Sequence, residues 1–388
     1  MTVLHSADWQ IGKPYGRLSD PDKRSRLRQV RLEAIERLAE LAASSTAELV
    51  LVAGDLFDSP TPSASDVSAV CAAIGAIGCG VLVIPGNHDH GGAGTIWQSA
   101  LWRDEQGRRA PNLQLLLTRQ PLELERLVVL PCPLLQRHDS NDPCGWLNQL
   151  DWATLPAGKP RLVLAHGGVT GFAGTDLDDE NSAGTPNRID LTAPWLEQVD
   201  YVALGDWHGT KAVNAKAWYS GALEPDRFAR SDDYVSGQVL RVTLQRDALP
   251  QVTPLQSGAI GWHQLSQELG SDTDLALLEQ RVETLLGERV GQDLLLLELS
   301  GQLSIGGQQR LDAMLARWSA QLLRLKLRNS VGLQADAAEL QALGQRDDAP
   351  LVALVAQQLQ RQLAQQPGDA ALSQALLELH RCVGDACA

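Results

Sequence analysis

Residues 48–55 read ELVLVAGD and residues 81–89 read VLVIPGNHD. Each is an aliphatic run that breaks abruptly into glycine and polar residues. An unbroken apolar run of this length suits a parallel strand covered on both faces. The break places Asp55, Asn87 and His88 at the strand's carboxyl end, where α/β folds build their sites. The pattern recurs: a strand at 2–7 leads to Asp8, one at 162–165 to His166, and one at 201–204 to Asp206 and His208. Between them, 24–43 carries apolar Leu27, Val30, Ala34, Leu38 and Leu41 at helical spacing, and 65–77 is a second helix behind Pro60 and Pro62. Strand, helix, strand predicts right-handed crossovers and a layered α/β domain. Further strands are expected at 113–117, 127–130 and 237–244.

Carboxylates, an amide oxygen and imidazoles gathered at neighbouring strand ends make a mixed oxygen and nitrogen shell. Such a shell suits manganese, iron, magnesium or zinc. Two divalent ions close together can clamp an in-line phosphoryl displacement. A lone GD or GNHD occurs in many turns, but turns do not explain five such blocks in order, each ending a strand.

The segments LHSADWQIG, VAGDLFD, IPGNHD, LAHGG and LGDWHG resemble, in order and spacing, the five blocks of calcineurin-like metallophosphoesterases. LHSADW and GDLFD look more specifically like the SbcD-type exonuclease subunit and its YhaO-like relatives, and YSGALEPDRF (219–228) is similar to a further segment of that family. The resemblance implies a four-layered αββα domain. It implies that Asp8, Asp55 and His208 hold one metal, and that Asp55 bridges to a second held also by Asn87 and His166. His88 would contact the scissile phosphate or protonate the leaving oxygen, with Asp89 orienting its ring.

Two positions depart from the family pattern. Gln10 stands where the first block has a histidine, and Asp206 where the last block has another. Both replace nitrogen with oxygen, so manganese is the expected ion, or magnesium or iron, rather than zinc. Gln10 and Asp206 are therefore expected to complete the metal shell.

The first domain is expected to span 1–255, with a Gly/Asp/Asn-rich loop over 171–193 beside the site. Residues 254–261 read as a linker. A helix at 274–286, a strand at 293–299, a helix at 308–322 and a strand at 323–328 make a small α/β domain, 256–335, resembling the family's capping domain. From Asp336 to the end, 336–388, the chain is Leu/Ala/Gln-rich and helical, broken at Pro350 and Pro367.

The 388 residues exceed one compact core. No apolar run reaches the roughly 18 residues of a membrane span, and the start lacks the regions of a signal peptide, so a cytoplasmic protein off the membrane is expected. The six cysteines form no CxxC pair and need no disulfides. A net charge of −14 argues against a DNA-coating surface, though not against a nuclease with a local basic patch. Arg24, Arg28 and Arg31, at helical spacing, are candidates to track a phosphate backbone or to line a solvated helix edge. Acidic Asp176, Asp178, Asp179 and Glu180 are expected to gate access or to face solvent. His5 reads as a satisfied core histidine, His90 as a loop residue, and Trp9 and Trp207 as packing against the site. His138, His263 and His380 belong to no constellation.

The expected activity is metal-dependent hydrolysis of DNA phosphodiesters, as a repair exonuclease or endonuclease subunit. The resemblance implies a partner, an SMC-like coiled-coil ATPase of the SbcC type gripped by the tail, and a homodimer. The rival expectations are a small-molecule phosphodiesterase or phosphatase, and a scaffold that positions DNA for the ATPase.

Overall fold

The computed structural model describes residues 1–170, 186–229, 231, 234–333, 341–346, 348–366, 369, 371–372, 374–376 and 378–379. Asp176, Asp178, Asp179, Glu180, Asp336, Pro367 and His380 lie outside them, as do two of the six cysteines, Cys382 and Cys387. The chain divides into two compact units, Met1–Ile260 and Gly261–Ala388.

The first unit holds two six-stranded sheets. In one, Thr2–Ser6, Leu49–Ala53, Gly80–Ile84 and Leu113–Leu115 run parallel, and Gln238–Thr243 and Gln251–Gln256 add antiparallel to the free side of the first strand. In the other, Val128–Cys132, Arg161–His166, Tyr201–Gly205 and Ala217–Tyr219 are parallel neighbours. The unbroken apolar runs resolve into two faces. Val50 and Val52 enter the core under helices Pro21–Ser44, Ala64–Gly75 and Ala100–Arg109, whereas Leu49, Leu51 and Ala53 enter the core between the sheets. Leu162 and Leu164 meet them there, and Val163 and Ala165 point outward to a fourth layer. That layer is thin, made of the 3-10 turns Gly145–Gln149, Trp152–Thr154 and Pro194–Gln198. The long first helix is started by Pro21 and by the Asp20 carboxylate, which accepts the N–H groups of Asp22 and Lys23.

The second unit is a parallel three-stranded sheet of Trp262–Leu269, Leu294–Leu303 and Arg324–Leu333, with crossover helices Asp274–Leu286 and Ile305–Gln321 packed on it. Its buried carboxylate, Asp293, accepts from the Gly261 N–H, from Arg289, and from His263 Nε2 at 2.9 Å. His263 thus has a partner that sequence reading did not assign. Helix Pro350–Gln365 follows.

Several expectations are corrected. The stretch from Pro254, read as a linker, is strand as far as Gln256, with Pro254 opposite Leu240 on a sheet edge, where a missing N–H costs no ladder bond. Within 171–193, residues 171–185 are outside the described set, and Arg188–Ile189 pairs with Gly168–Val169 rather than forming loop. Helix Ala100–Arg109 and strand Trp262–Leu269 escaped notice because their charged and polar residues mask the apolar period. Arg31 is not on a solvated stripe. It is buried, and its guanidinium donates to Tyr15 Oη, the Trp9 carbonyl and the Glu224 carbonyl.

Candidate metal centre

The carboxyl ends of parallel strands from both sheets meet at one place. Asp8 and Gln10 follow Thr2–Ser6, Asp55 follows Leu49–Ala53, and Asn87 and His88 follow Gly80–Ile84. His166 closes Arg161–His166, while Asp206 and His208 follow Tyr201–Gly205. The loops are laced by main-chain bonds, Asp8 N–H to Gly54, Gln10 N–H to Asp55 and Ile11 N–H to Leu56. Four site residues, Asp8, Gln10, Asp55 and Asp206, have left-handed backbones with φ of 53°, 44°, 55° and 102°. Non-glycine residues adopt this region at a cost that surrounding structure must offset, and such strain concentrates at functional sites. It turns each side chain sharply out of its strand into the shared space.

Glycines keep that space open. A Cβ on Gly86 would lie 2.1 Å from Asp55 Oδ1, and one on Gly54 would lie 2.2 Å from His166 Nδ1. Gly54 before Asp55 and Gly86 before Asn87 are therefore clearances for another block's ligand.

Among the described residues, Asp8, Asp55 and His166 form the group whose ligand atoms all lie within 4.8 Å of one another, all three buried. Asn87 Oδ1 stands 3.0 Å from His166 Nε2, with Asp55 Oδ1 at 3.7 Å and Asp206 Oδ1 at 3.8 Å. His166 Nδ1 donates to the Ala53 carbonyl at 2.8 Å. The ring nitrogen facing the site is thereby the one that must meet acceptors. A positive charge has to sit there, either a proton or a metal ion. Without a metal it is a proton: burial opposes the charge, but the carboxylates of Asp55, Asp8 and Asp206 outweigh it and raise His166 to about 9. Burial pushes Asp8 up to about 6. A buried oxygen-rich cluster that recruits protons in this way fits a divalent cation.

On the far side, His208 Nδ1 lies 3.0 Å from the buried carboxylate of Asp226. Its Nε2 lies 3.3 Å from the Gln10 amide nitrogen, which donates to it. Nδ1 is turned to Asp226, with the Arg227 guanidinium also against it at 3.1 Å. Burial alone would raise Asp226, but His208, Arg227 and Lys13 hold its carboxyl well below the usual range. Gln10 Oε1 accepts from Lys13 Nζ at 2.6 Å. Asp206 presents its side chain near His166 and its main-chain N–H to the Asp8 carboxylate, at 3.2 Å to each oxygen.

His88 is accessible, with 32% of its side chain exposed, as is Asp206 at 39%. His88 Nε2 lies 4.0 Å from Asp55 Oδ2, and its Nδ1 donates to the Asp58 carbonyl at 3.2 Å. The expected role of Asp89 is corrected here. Asp89 does not orient the His88 ring. Its buried carboxylate accepts the N–H groups of Phe57 at 3.1 Å and Gly86 at 2.8 Å, bracing the Asp55 loop against the Asn87 loop. The ring is fixed by Asp58 instead. Asp58, Lys13 and Asp226 were not singled out, although VAGDLFD and YSGALEPDRF contain two of them; Lys13 carries no motif at all.

His5 is buried and bonded to Tyr201 Oη and the Leu204 carbonyl, and burial lowers it to about 3. Trp9 is fully buried, donating to Ser6 Oγ. Trp207 meets Tyr234 edge to face. His90 accepts from the Gly92 N–H of its own loop.

Over residues 1–237 the sequence matches the family described as calcineurin-like phosphoesterase. The chain belongs to that family, and its centre is that of a metal-dependent phosphoester hydrolase. No curated protein matches the chain as a relative. A crystal structure with 12% identity aligns over 66% of this chain and 98% of its own, with a TM-score of 0.40. No described helix is long and apolar enough to cross a membrane.

Proposed function

We propose that this protein hydrolyses DNA phosphodiesters, as the nuclease subunit of a repair complex. The observation that carries the reading is the pairing of the buried Asp8–Asp55–His166 cluster with the half-exposed His88 beside it. A divalent ion held by the cluster, with Asn87 and Asp206 alongside, would polarise the phosphoryl group and lower the pKa of the attacking water. The oxygen-rich donor set favours manganese, or magnesium or iron. His88 keeps Nδ1–H on the Asp58 carbonyl, so Nε2 is the nitrogen turned to the site; in the imidazolium form it would carry the proton that passes to the leaving oxygen, returning the ring to its neutral Nδ1–H form. Likeness of LHSADW, GDLFD and YSGALEPDRF to the SbcD-type subunit supports DNA as substrate.

The reading extends to partners. Leu351 is 76% exposed and Leu354 64% exposed on helix Pro350–Gln365. An amphipathic helix offering such residues suits the base of a coiled-coil ATPase of the SbcC type.

A manganese-dependent assay on single- and double-stranded DNA tests the proposal, with bis(p-nitrophenyl) phosphate alongside. Cutting of DNA that His88→Asn abolishes is the expected result. Turnover of the small ester with DNA left intact would replace it by a small-molecule phosphodiesterase. Turnover of neither would leave a DNA-positioning scaffold.

A further inference from the structure

Lys13 follows the Asp8–Trp9–Gln10 turn in the same loop, and its side chain is 22% exposed. Its ammonium donates to Gln10 Oε1 at 2.6 Å and lies 3.1 Å from Asp226 Oδ2 and 3.6 Å from Asp58 Oδ1. Gln10 in turn donates its amide N–H to His208 Nε2, and His208 Nδ1 closes back on Asp226 at 3.0 Å. Lys13, Gln10, His208 and Asp226 thus form a ring of hydrogen bonds. Within it, the amide carbonyl of Gln10 is taken by an ammonium, and the Nε2 lone pair of His208 by an amide N–H. Of the two atoms that would have to face a metal on this side, Gln10 Oε1 faces Lys13 and His208 Nε2 faces the Gln10 amide nitrogen.

The His166 side has the opposite character, acceptors crowded on acceptors. The compact Asp8–Asp55–His166 group does not extend to His208. The two halves of the centre are therefore unequal in charge. One gathers carboxylates and an amide oxygen around the His166 ring; the other contains the Lys13 ammonium, with the Arg227 guanidinium behind Asp226.

We propose that Lys13 is a built-in cation of the centre. Its ammonium takes the place of a divalent ion on the Gln10–His208 side, so that the chain holds one tightly bound ion rather than the two its family resemblance implies. This rests on the metal-dependent reading above and deepens it. The retained ion belongs to Asp8, Asp55 and His166, with Asn87 and Asp206 beside them. A divalent ion next to the ammonium would be repelled in this partly buried setting, where screening is weak. The exchange of histidine for Gln10 is then half of a pair: an amide is needed because its oxygen accepts from Lys13 while its nitrogen donates to His208. Asp58 carries the arrangement to the reacting side, since its carboxylate faces Lys13 and its carbonyl fixes His88.

The experiment is a manganese titration of the metal-stripped full chain, reading free ion by its electron paramagnetic resonance signal. One tight ion per chain is expected, with any second at least about tenfold weaker. The neutral variants Lys13→Ala and Lys13→Gln should tighten the second ion about tenfold or more, while Lys13→Arg should stay at one. Two ions of similar affinity in the wild type would overturn the proposal, as would neutral variants that melt normally and still hold one. The wild-type stoichiometry decides the matter even where a variant fails to fold. Binding of no ion would overturn this proposal and the hydrolase reading together. One tight ion without cutting of any phosphodiester supports the Lys13 assignment and overturns only the catalytic reading.

Discussion

His166 Nε2 stands 3.0 Å from Asn87 Oδ1, while Nδ1 of the same ring donates to the Ala53 carbonyl at 2.8 Å. One strand end from each sheet meets at this contact. The carbonyl fixes which nitrogen faces inward, and that nitrogen faces an oxygen that can only accept. A proton joins them in the metal-free protein, and an ion would displace it. The same device recurs at His88, on the Asp58 carbonyl, and at His208, on the Asp226 carboxylate. An acceptor behind each ring presents Nε2 to the site.

A pH dependence follows for the metal-stripped protein. Asp8 and Asp89 are raised by burial to about 6 and about 7, so the native state binds protons that the unfolded chain releases above about 4. His166 is raised to about 9, so its stabilisation is complete below the unfolded value of 6.5 and is lost as pH rises through 9. All three act in one direction. His5, which burial lowers to about 3, works against them below 6.5. Thermal melting of stripped protein should therefore show stability falling from pH 6.5 to pH 9, with added manganese restoring most at the alkaline end. A melting temperature that rises across this range without metal would contradict the assignment.

Replacing His88 by Asn should cut the rate of phosphodiester hydrolysis by roughly 10²–10⁴-fold, the usual contribution of a general acid. Because the ring is half-exposed and 4.0 Å from the nearest Asp55 oxygen, manganese affinity and melting should stay close to wild type. Loss of the metal together with the rate would make His88 a ligand instead.

Gly86→Ala places a methyl 2.1 Å from Asp55 Oδ1 and 2.6 Å from its main-chain nitrogen. Both atoms are held, so the cost should be about 1–3 kcal/mol of stability, with weakened metal binding. Gly107→Ala, where a Cβ meets nothing within 4 Å, is the control expected to be neutral or slightly stabilising. Equal melting of the two variants would refute the clearance argument.

In the second unit, Asp293→Ala removes the buried carboxylate that receives Arg289, His263 and the Gly261 N–H. Leaving those donors unpaired should cost about 3 kcal/mol. Burial opposes ionisation, but these donors hold the Asp293 carboxyl at about 2, so its stabilisation is present above 3.8 and lost as pH falls through 2. Differential proteolysis of 261–388 in the full chain reads the loss. Unchanged cleavage would show that the cluster does not stabilise this unit.

The sequence by itself determined the layered class and the place of the chemistry. Runs such as 49–53 and 162–165 are apolar throughout because both faces are buried, and the carboxylates, amide and imidazoles follow where those runs stop. It also marked Gln10 and Asp206 as departures. It did not determine what those departures do. The partners of Gln10 are Lys13, three residues on, and His208, 198 residues away. Asp89 looked like a companion of its neighbour His88, yet its carboxylate spans two loops, reaching Phe57. Pattern and turn chemistry act locally and leave a trace in spacing. Hydrogen-bond partners and net charge within a buried cluster are set by which strand ends the two sheets bring together, and only the folded chain decides that.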